Sequence, residues 1–199
     1  MRSLRDIAIS IADQHAVARW RDFAAAGVTP ATIARLIDQG ELERVGRGLY
    51  RRAQKEETEH QSLIETSKAA PQGVICLLSA LRFHGLTTQL PHAVWLMIDH
   101  KARAPKSAAQ RLNIIRASGP SMSAGITQHR LDGVVVPITT PAKTVADCFK
   151  YRSRIGADVA IEALKEGLKK RAFTPDEFLA MARIDRIDRV ARSYLEAML

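Results

Sequence analysis

The sequence predicts an α+β protein, with a winged helix-turn-helix over residues 1–55 and a mixed α/β domain over residues 56–199. Three observations carry this. Between Val28 and Arg52 a short capped helix, a glycine stop and an Arg-rich hairpin follow one another. Two amphipathic segments precede them, which makes three helices and a hairpin in one small module. Beyond residue 56, β-rich runs alternate with helical apolar spacing.

The elements follow in order. Leu4, Ile7 and Ile11 space one apolar stripe and predict a helix over 4–14. Val17, Trp20 and Ala24, with Phe23 beside them, predict a second over roughly 16–26. Thr29 is a good N-cap, and Pro30 fits the first helical turn, where its missing N–H costs nothing. Ile33, Leu36 and Ile37 then form the apolar side, and Gly40 stops the helix. Thr32, Arg35 and Gln39 fall on the other face and are side-chain types that reach base edges or phosphates in a major groove. Leu42–Val45 and Leu49–Arg52 read as strands, and Gly46-Arg47-Gly48 suits a turn that needs positive φ. Arg44, Arg47, Arg51 and Arg52 would crowd a small wing, where cations neutralise phosphates. With Thr29 and Tyr50, these residues make up the candidate DNA-contacting set.

The tract Gln54–Gln61 is polar and reads as a linker or the solvated start of a helix. Helix is expected over Ser62–Ala70, with a break at Pro71-Gln72-Gly73. Val74–His84 is a strand running into a helix, or one buried helix. Val94–Ile98, Leu112–Arg116 and Gly133–Ile138 are strand candidates, and Pro137 suggests an edge or a strand end. A charged loop, residues 99–111, joins the first two. Thr140-Pro141 opens a helix through about Tyr151, and Ala157–Lys170 forms another. Thr174-Pro175-Asp176-Glu177 is a capping box ahead of Phe178–Ala182, and Arg183–Leu199 reads as one last helix.

Thirty Lys and Arg stand against 21 acids, a formal +9, which favours a polyanionic partner. Residues 1–55 hold 10 basic and 6 acidic side chains, so the first quarter of the chain is the more basic part. Cys76 and Cys148 lie far apart, with no C-x-x-C pair, so they read as buried free thiols and neither zinc nor redox chemistry is indicated. No metal ligand set and no cofactor motif is recognised. No run is apolar enough to span a bilayer, and the charged N-terminus does not read as a signal peptide. A cytoplasmic location follows as the expectation.

Catalytic constellations are missing from the pattern. There is no G-x-S-x-G elbow and no phosphate-cradling G-x-x-x-x-G-K-[ST] loop. Histidines 15, 60, 84, 92, 100 and 129 show no H-x-x-x-H pair, and His84 reads as structural. Asp99 follows a strand candidate, as in metal-dependent nucleases, but the next strand, RLNIIR, supplies neither acid nor lysine. Asp185 and Asp188 alternate with Arg183, Arg186 and Arg189, which suggests intrahelical ion pairs.

Three phrases carry a family resemblance: ELERVGRGLYRR (residues 41–52), LLSALRFHGLTTQLPHAVWLMI (77–98) and PAKTVADCFKYRSRIGADVAIEALKEGL (141–168). From about residue 16 to residue 170 the chain resembles the AbiEi family of antitoxins of bacterial type IV toxin–antitoxin systems, and residues 1–15 lie outside the resemblance. It implies an N-terminal domain that binds inverted repeats in its own promoter and represses transcription. It implies a C-terminal antitoxin domain, and a nucleotidyltransferase-like toxin as functional partner without a stable complex. DNA-contacting roles carry over only to Pro30–Gln39 and Arg44–Arg52. Ser79, Arg82, His84, Gly85, Pro141, Lys143, Thr144, Asp147 and Arg152 stand in the downstream phrases with their roles open.

Two other readings compete with the non-enzymatic DNA-binding antitoxin. One is a nuclease or transferase targeted by the winged module, with Asp99 and Asp132 as its acids. The other treats the C-terminal half as a protein-interaction domain of an ordinary regulator.

Overall fold

The computed structural model describes residues 2–54, 58–105 and 111–198. Residues 55–57 of the polar tract and 106–110 of the charged loop therefore lie outside the described residues. The chain divides into two compact units. One comprises Met1–Pro71, Pro105–Arg111 and His129–Val136; the other comprises Gln72–Ala104, Leu112–Gln128 and Pro137–Leu199.

The first unit contains α1 (Leu4–Gln14), β1 (Ala18–Arg19), α2 (Trp20–Ala25), α3 (Pro30–Asp38), β2 (Leu42–Gly46), β3 (Leu49–Arg52) and α4 (Gln61–Ala69). Ser3 caps α1 in a capping box with Asp6. Its fully buried line is Ala8 and Ala12, with Ile7 and Ile11 packed beside them, while Leu4 is exposed. The expected stripe is thus rotated towards small residues that let the helix approach its neighbours closely. A larger difference lies at residues 16–26. Ala18 and Arg19 form a strand opposite Tyr50 and Leu49, and the helix starts only at Trp20. Pairing with the hairpin, remote in sequence, outweighs the local helical spacing. Phe23, Val28, Ile33, Leu36 and Leu42 close the small core.

A five-stranded sheet has the order β6-β5-β4-β8-β7. The second unit contains β4 (Val74–Ile75), α5 (Leu77–Phe83), β5 (Val94–Asp99), β6 (Leu112–Ala117), α6 (Pro120–Ser123) and those parts of β7 (Ile126–Leu131) and β8 (Val134–Thr139) that lie outside His129–Val136. Then follow α7 (Pro141–Lys150), α8 (Arg152–Ile155), α9 (Ala157–Lys169), α10 (Pro175–Ile184) and α11 (Asp188–Glu196). Residues 74–83 resolve as a strand running into a helix. β4 is antiparallel to β5 and parallel to β8, and β5 is parallel to β6. Strand β7 was not legible: ITQHRL has little apolar alternation because this sheet edge is largely exposed. Pro137 lies not at an edge but between β4 and β7. β4 has only two residues and meets β8 with Ile75 opposite Ile138, so the ladder on that side ends beside the proline.

The residues of the family-like phrases hold this unit together. Ser79 Oγ accepts from Trp95 N at 3.0 Å, and His84 Nε2 donates to Thr139 O at 2.7 Å. Thr144 Oγ1 donates to Thr140 O at 2.8 Å, and Arg152 Nη1 donates to Phe149 O at 2.8 Å. Pro141 opens α7 behind the Thr140 cap. Cys76 and Cys148 are buried free thiols, pushed up in pKa first by that burial.

The last helix starts not at Arg183 but at Asp188: α10 runs on to Ile184 and the break falls at residues 185–187, with Arg186 at φ 59°. Asp185 is the reason. Its carboxylate is drawn inward to Lys143, which is fully buried, and forms no intrahelical surface pair. Lys143 Nζ donates to Asp147 Oδ1 and to both Asp185 oxygens, at 3.1 and 2.9 Å. Lys150 Nζ and Ser121 Oγ reach Asp185 Oδ1 at 3.1 and 3.0 Å. Gly125, at φ 63°, makes room: a Cβ there would stand 2.7 Å from Lys143 Cβ. Burial acts to lower the pKa of Lys143, but Asp147 and Asp185 outweigh it and hold it above its ordinary value. Burial likewise acts to raise Asp185, and Asp147, Lys143 and Lys150 hold it below the usual carboxylate value. For Asp147 burial wins: Lys143 opposes it, Asp185 adds to it, and the pKa rises to about 8. Asp147 Oδ2 is buried with no hydrogen-bond partner among the described residues, which also favours the neutral acid.

Two outcomes follow from this cluster. Asp185→Ala leaves a buried ammonium short of a counter-charge and lowers stability by about 3–5 kcal/mol in urea unfolding. The folded chain holds the Asp147 proton more tightly than the unfolded chain, whose carboxyl titrates near its ordinary 3.8. Its contribution is therefore complete below that value and is lost as pH rises through about 8. Measured against Asp147→Asn, the urea midpoint of the wild type falls between about pH 5 and about pH 8.

Candidate nucleic-acid interface

Local chemistry builds α3. Thr29 Oγ1 accepts from Thr32 N at 3.2 Å, and Pro30 occupies the first turn. Ile33 and Leu36 enter the core. Gly40, at φ 68°, ends the helix. The face left in solvent carries Ala31, Ala34, Arg35, Asp38 and Gln39. Thr32 is not on it: it is 7% exposed, with its hydroxyl 3.0 Å from that of Thr29, so it steadies the helix start rather than meeting a base. Sequence reasoning missed Ala31, Ala34 and Asp38, although they are the i, i+3, i+7 complement of the buried stripe. Alanine methyls suit a thymine methyl, and a carboxylate can accept from cytosine N4.

The wing is the β2–β3 hairpin. Arg44 stands opposite Tyr50, and the register slips between Arg44 and Gly46. Gly48 adopts φ 69° in the turn, and its carbonyl accepts from Trp20 N at 2.8 Å, which ties the wing to the start of α2. Tyr50 packs edge-on to Phe23, with ring centroids 5.8 Å apart, and is half-buried.

The four wing arginines divide by partner. Arg51 pairs with Glu43 and lies 3.8 Å from Glu65; its side chain is 14% exposed. Arg52 Nη1 donates to Glu41 O at 3.0 Å, and Arg52 Nε lies 3.5 Å from Asp13 Oδ1. Arg5 Nη2 donates to Glu41 Oε2 at 2.7 Å, and its hydrogen bonding chiefly keeps the Glu41 pKa below its ordinary value. These two arginines thus brace the hairpin. Arg44 and Arg47 are exposed, and among the described residues neither pairs with a carboxylate. Arg44 Nε donates to Gly46 O at 3.2 Å, which leaves the rest of its guanidinium outward. A cavity of about 520 Å³, lined by Ser3, Leu4, Arg5, Ala31, Thr32 and Arg35, lies along the first half of α3. Among the described residues, Arg35, Arg44 and Arg47 are therefore the cations of the predicted set that face outward without a carboxylate.

The acids of the enzymatic reading fall in separate elements. Asp99 ends β5, where its Oδ1 accepts from Lys101 N at 2.9 Å; Asp132 sits in the β7–β8 turn at φ 44°. Among the described residues no group of three or more His, Cys, Asp or Glu is placed to hold a metal ion, and no helix is long and apolar enough to cross a membrane.

Residues 5–53 match the family model described as "Transcriptional regulator, AbiEi antitoxin". Over these residues the winged domain is similar to the transcriptional regulators of the AbiEi antitoxin family. The match begins in α1, so the first helix belongs to the family pattern that the sequence resemblance had begun only near residue 16, and it ends with the wing. No curated protein matches the chain. The crystal structure of the RV2827C protein from Mycobacterium tuberculosis superposes with a TM-score of 0.60. It covers 98% of this chain and 82% of that one at 13% identity, and so shares the fold.

The division among the wing arginines gives distinct outcomes in a DNA titration over a salt series. Arg47→Ala lowers the slope of log K against log salt by about one unit. Arg52→Ala leaves that slope unchanged and lowers the thermal midpoint, because its guanidinium is already spent on Glu41 and Asp13.

Proposed function

We propose that the chain is the autorepressing antitoxin of a type IV toxin–antitoxin operon. Residues 1–55 bind inverted repeats in its own promoter, and residues 56–199 carry the antitoxin activity. The functional partner is a nucleotidyltransferase-like toxin that forms no stable complex with it. One observation carries the reading: an α3 face of Ala31, Ala34, Arg35, Asp38 and Gln39 lies open in a domain whose wing projects Arg44 and Arg47, and that domain matches an antitoxin regulator family. Small side chains flanking Arg35 let the helix backbone come close to a groove floor, and Arg35 can then reach guanine N7 and O6. The wing cations meet phosphates, which position the domain without reading sequence.

The test is an electrophoretic shift with DNA from upstream of the gene against a scrambled duplex at physiological salt. A preference of about a thousandfold for the upstream DNA is expected. Arg35→Ala then weakens binding to the upstream DNA by about 1–3 kcal/mol and to the scrambled duplex far less. Equal binding of both duplexes by the wild type would remove the promoter-specific role.

A further inference from the structure

Beside the wing turn, in the first unit, lies a cavity of about 280 Å³ whose lining includes Arg19, Trp20, Arg21, Arg47, Gly48 and Lys68. Four of these side chains are cations, brought together from four places in the sequence: β1, the first turn of α2, the wing turn and the last turn of α4. Two hydrogen bonds fix the assembly. Arg19 Nη2 donates to Lys68 O, and Trp20 N donates to Gly48 O.

The charges are not balanced. Asp22 is the one carboxylate recorded against them among the described residues. It accepts from Arg19 N at 2.7 Å and lies 3.8 Å from Arg21 Nε. Arg47 and Lys68 have no carboxylate partner among the described residues. The pKa of Lys68 is lowered, first by burial and then, against the pull of Asp22, by Arg19 and Arg21. Arg19 is lowered in the same way, by burial and then by Arg21. Folding therefore holds like charges together around an open space, an arrangement that an anion would relieve.

We propose that this cavity takes a phosphate of the DNA backbone, next to the phosphate that Arg47 meets on the wing. The proposal rests on the reading of the chain as a DNA-binding regulator. It extends the contact surface past the matched residues 5–53 to Lys68 on α4. Duplex phosphate fits better than a free anion for a physical reason. The cavity is open and only partly dehydrated, so a diffusing ion gains little there. A phosphate presented by a duplex already docked on α3 and the wing arrives at high effective concentration. Arg47 and Gly48 belong to both the wing and the cavity, so the two surfaces are continuous.

The experiment titrates the full-length chain with the upstream duplex and the scrambled duplex from about 50 to about 200 mM salt. Arg21→Ala, Lys68→Ala and Lys68→Arg are compared with the wild type, and thermal melts confirm that each is folded. Each alanine variant should reduce the slope of log K against log salt by about 0.9 on both duplexes. Over that fourfold rise in salt, the wild type then loses about 3.5-fold more affinity than the variant. Lys68→Arg should keep the wild-type slope. Unchanged slopes in Arg21→Ala and Lys68→Ala, with the wild type still binding DNA, would overturn the phosphate site and leave the proposed function standing. A wild type that binds neither duplex would overturn both.

Discussion

The second unit depends on finding counter-charges for one ammonium. Lys143 sits in the first turn of α7 with no solvent access, and an unpaired charge there would cost several kcal/mol. Asp147 supplies one carboxylate from the next turn of the same helix, but its own burial keeps it protonated towards neutral pH. The second carboxylate must therefore come from elsewhere, and Asp185 provides it from the end of α10. To reach inward the chain breaks after Ile184, passes through positive φ at Arg186 and restarts as α11. Gly125 has no side chain because Lys143 passes where a Cβ would be. One buried charge thus accounts for a helix break, a glycine and the packing of α7 against α10.

The first unit solves the opposite problem. It must keep a few cations in water while using others as structure. Arg5 and Arg52 share Glu41, and Arg51 is held by Glu43 with Glu65 nearby. These pairs set the hairpin on the helices, so that the turn bearing Arg47 has a fixed place. Exposed single ion pairs are weak. A shared carboxylate between two guanidiniums loses less rotamer freedom per contact and is a better brace. The arginines without carboxylates are then presented by a scaffold rather than by a loose loop, which suits a surface that must meet regularly spaced phosphates.

Both units show how much was legible and where legibility ended. Thr29, Pro30, the Ile33–Leu36 stripe and Gly40 specify α3 within twelve residues, and Gly46-Arg47-Gly48 specifies the turn, so both could be read directly. The capping boxes at Ser3 and Thr174 were equally local, though only the second was recognised in the sequence. Which face of α3 meets solvent was only partly legible. Thr32 is polar and sits where a helical wheel permits exposure, yet it is buried against its own cap. Of four similar arginines in the hairpin, nothing local distinguishes Arg47 from Arg52; the carboxylates that do so lie up to 39 residues away, at Asp13.

What the sequence by itself determined is therefore what short-range sterics and hydrogen bonding decide: helix starts and stops, the wing turn, the basic balance and the α+β order of elements. The tertiary structure alone decided the strand at Ala18–Arg19, the unseen edge strand Ile126–Leu131, the inward turn of Asp185 and the gathering of Arg19, Arg21, Arg47 and Lys68 around one cavity. Three of the four share a physical reason: each depends on a partner distant along the chain, and a long-range pairing leaves no periodicity or motif in the residues on either side of it. The edge strand pairs with its sequence neighbour β8 and went unseen because its exposed position leaves it without apolar alternation.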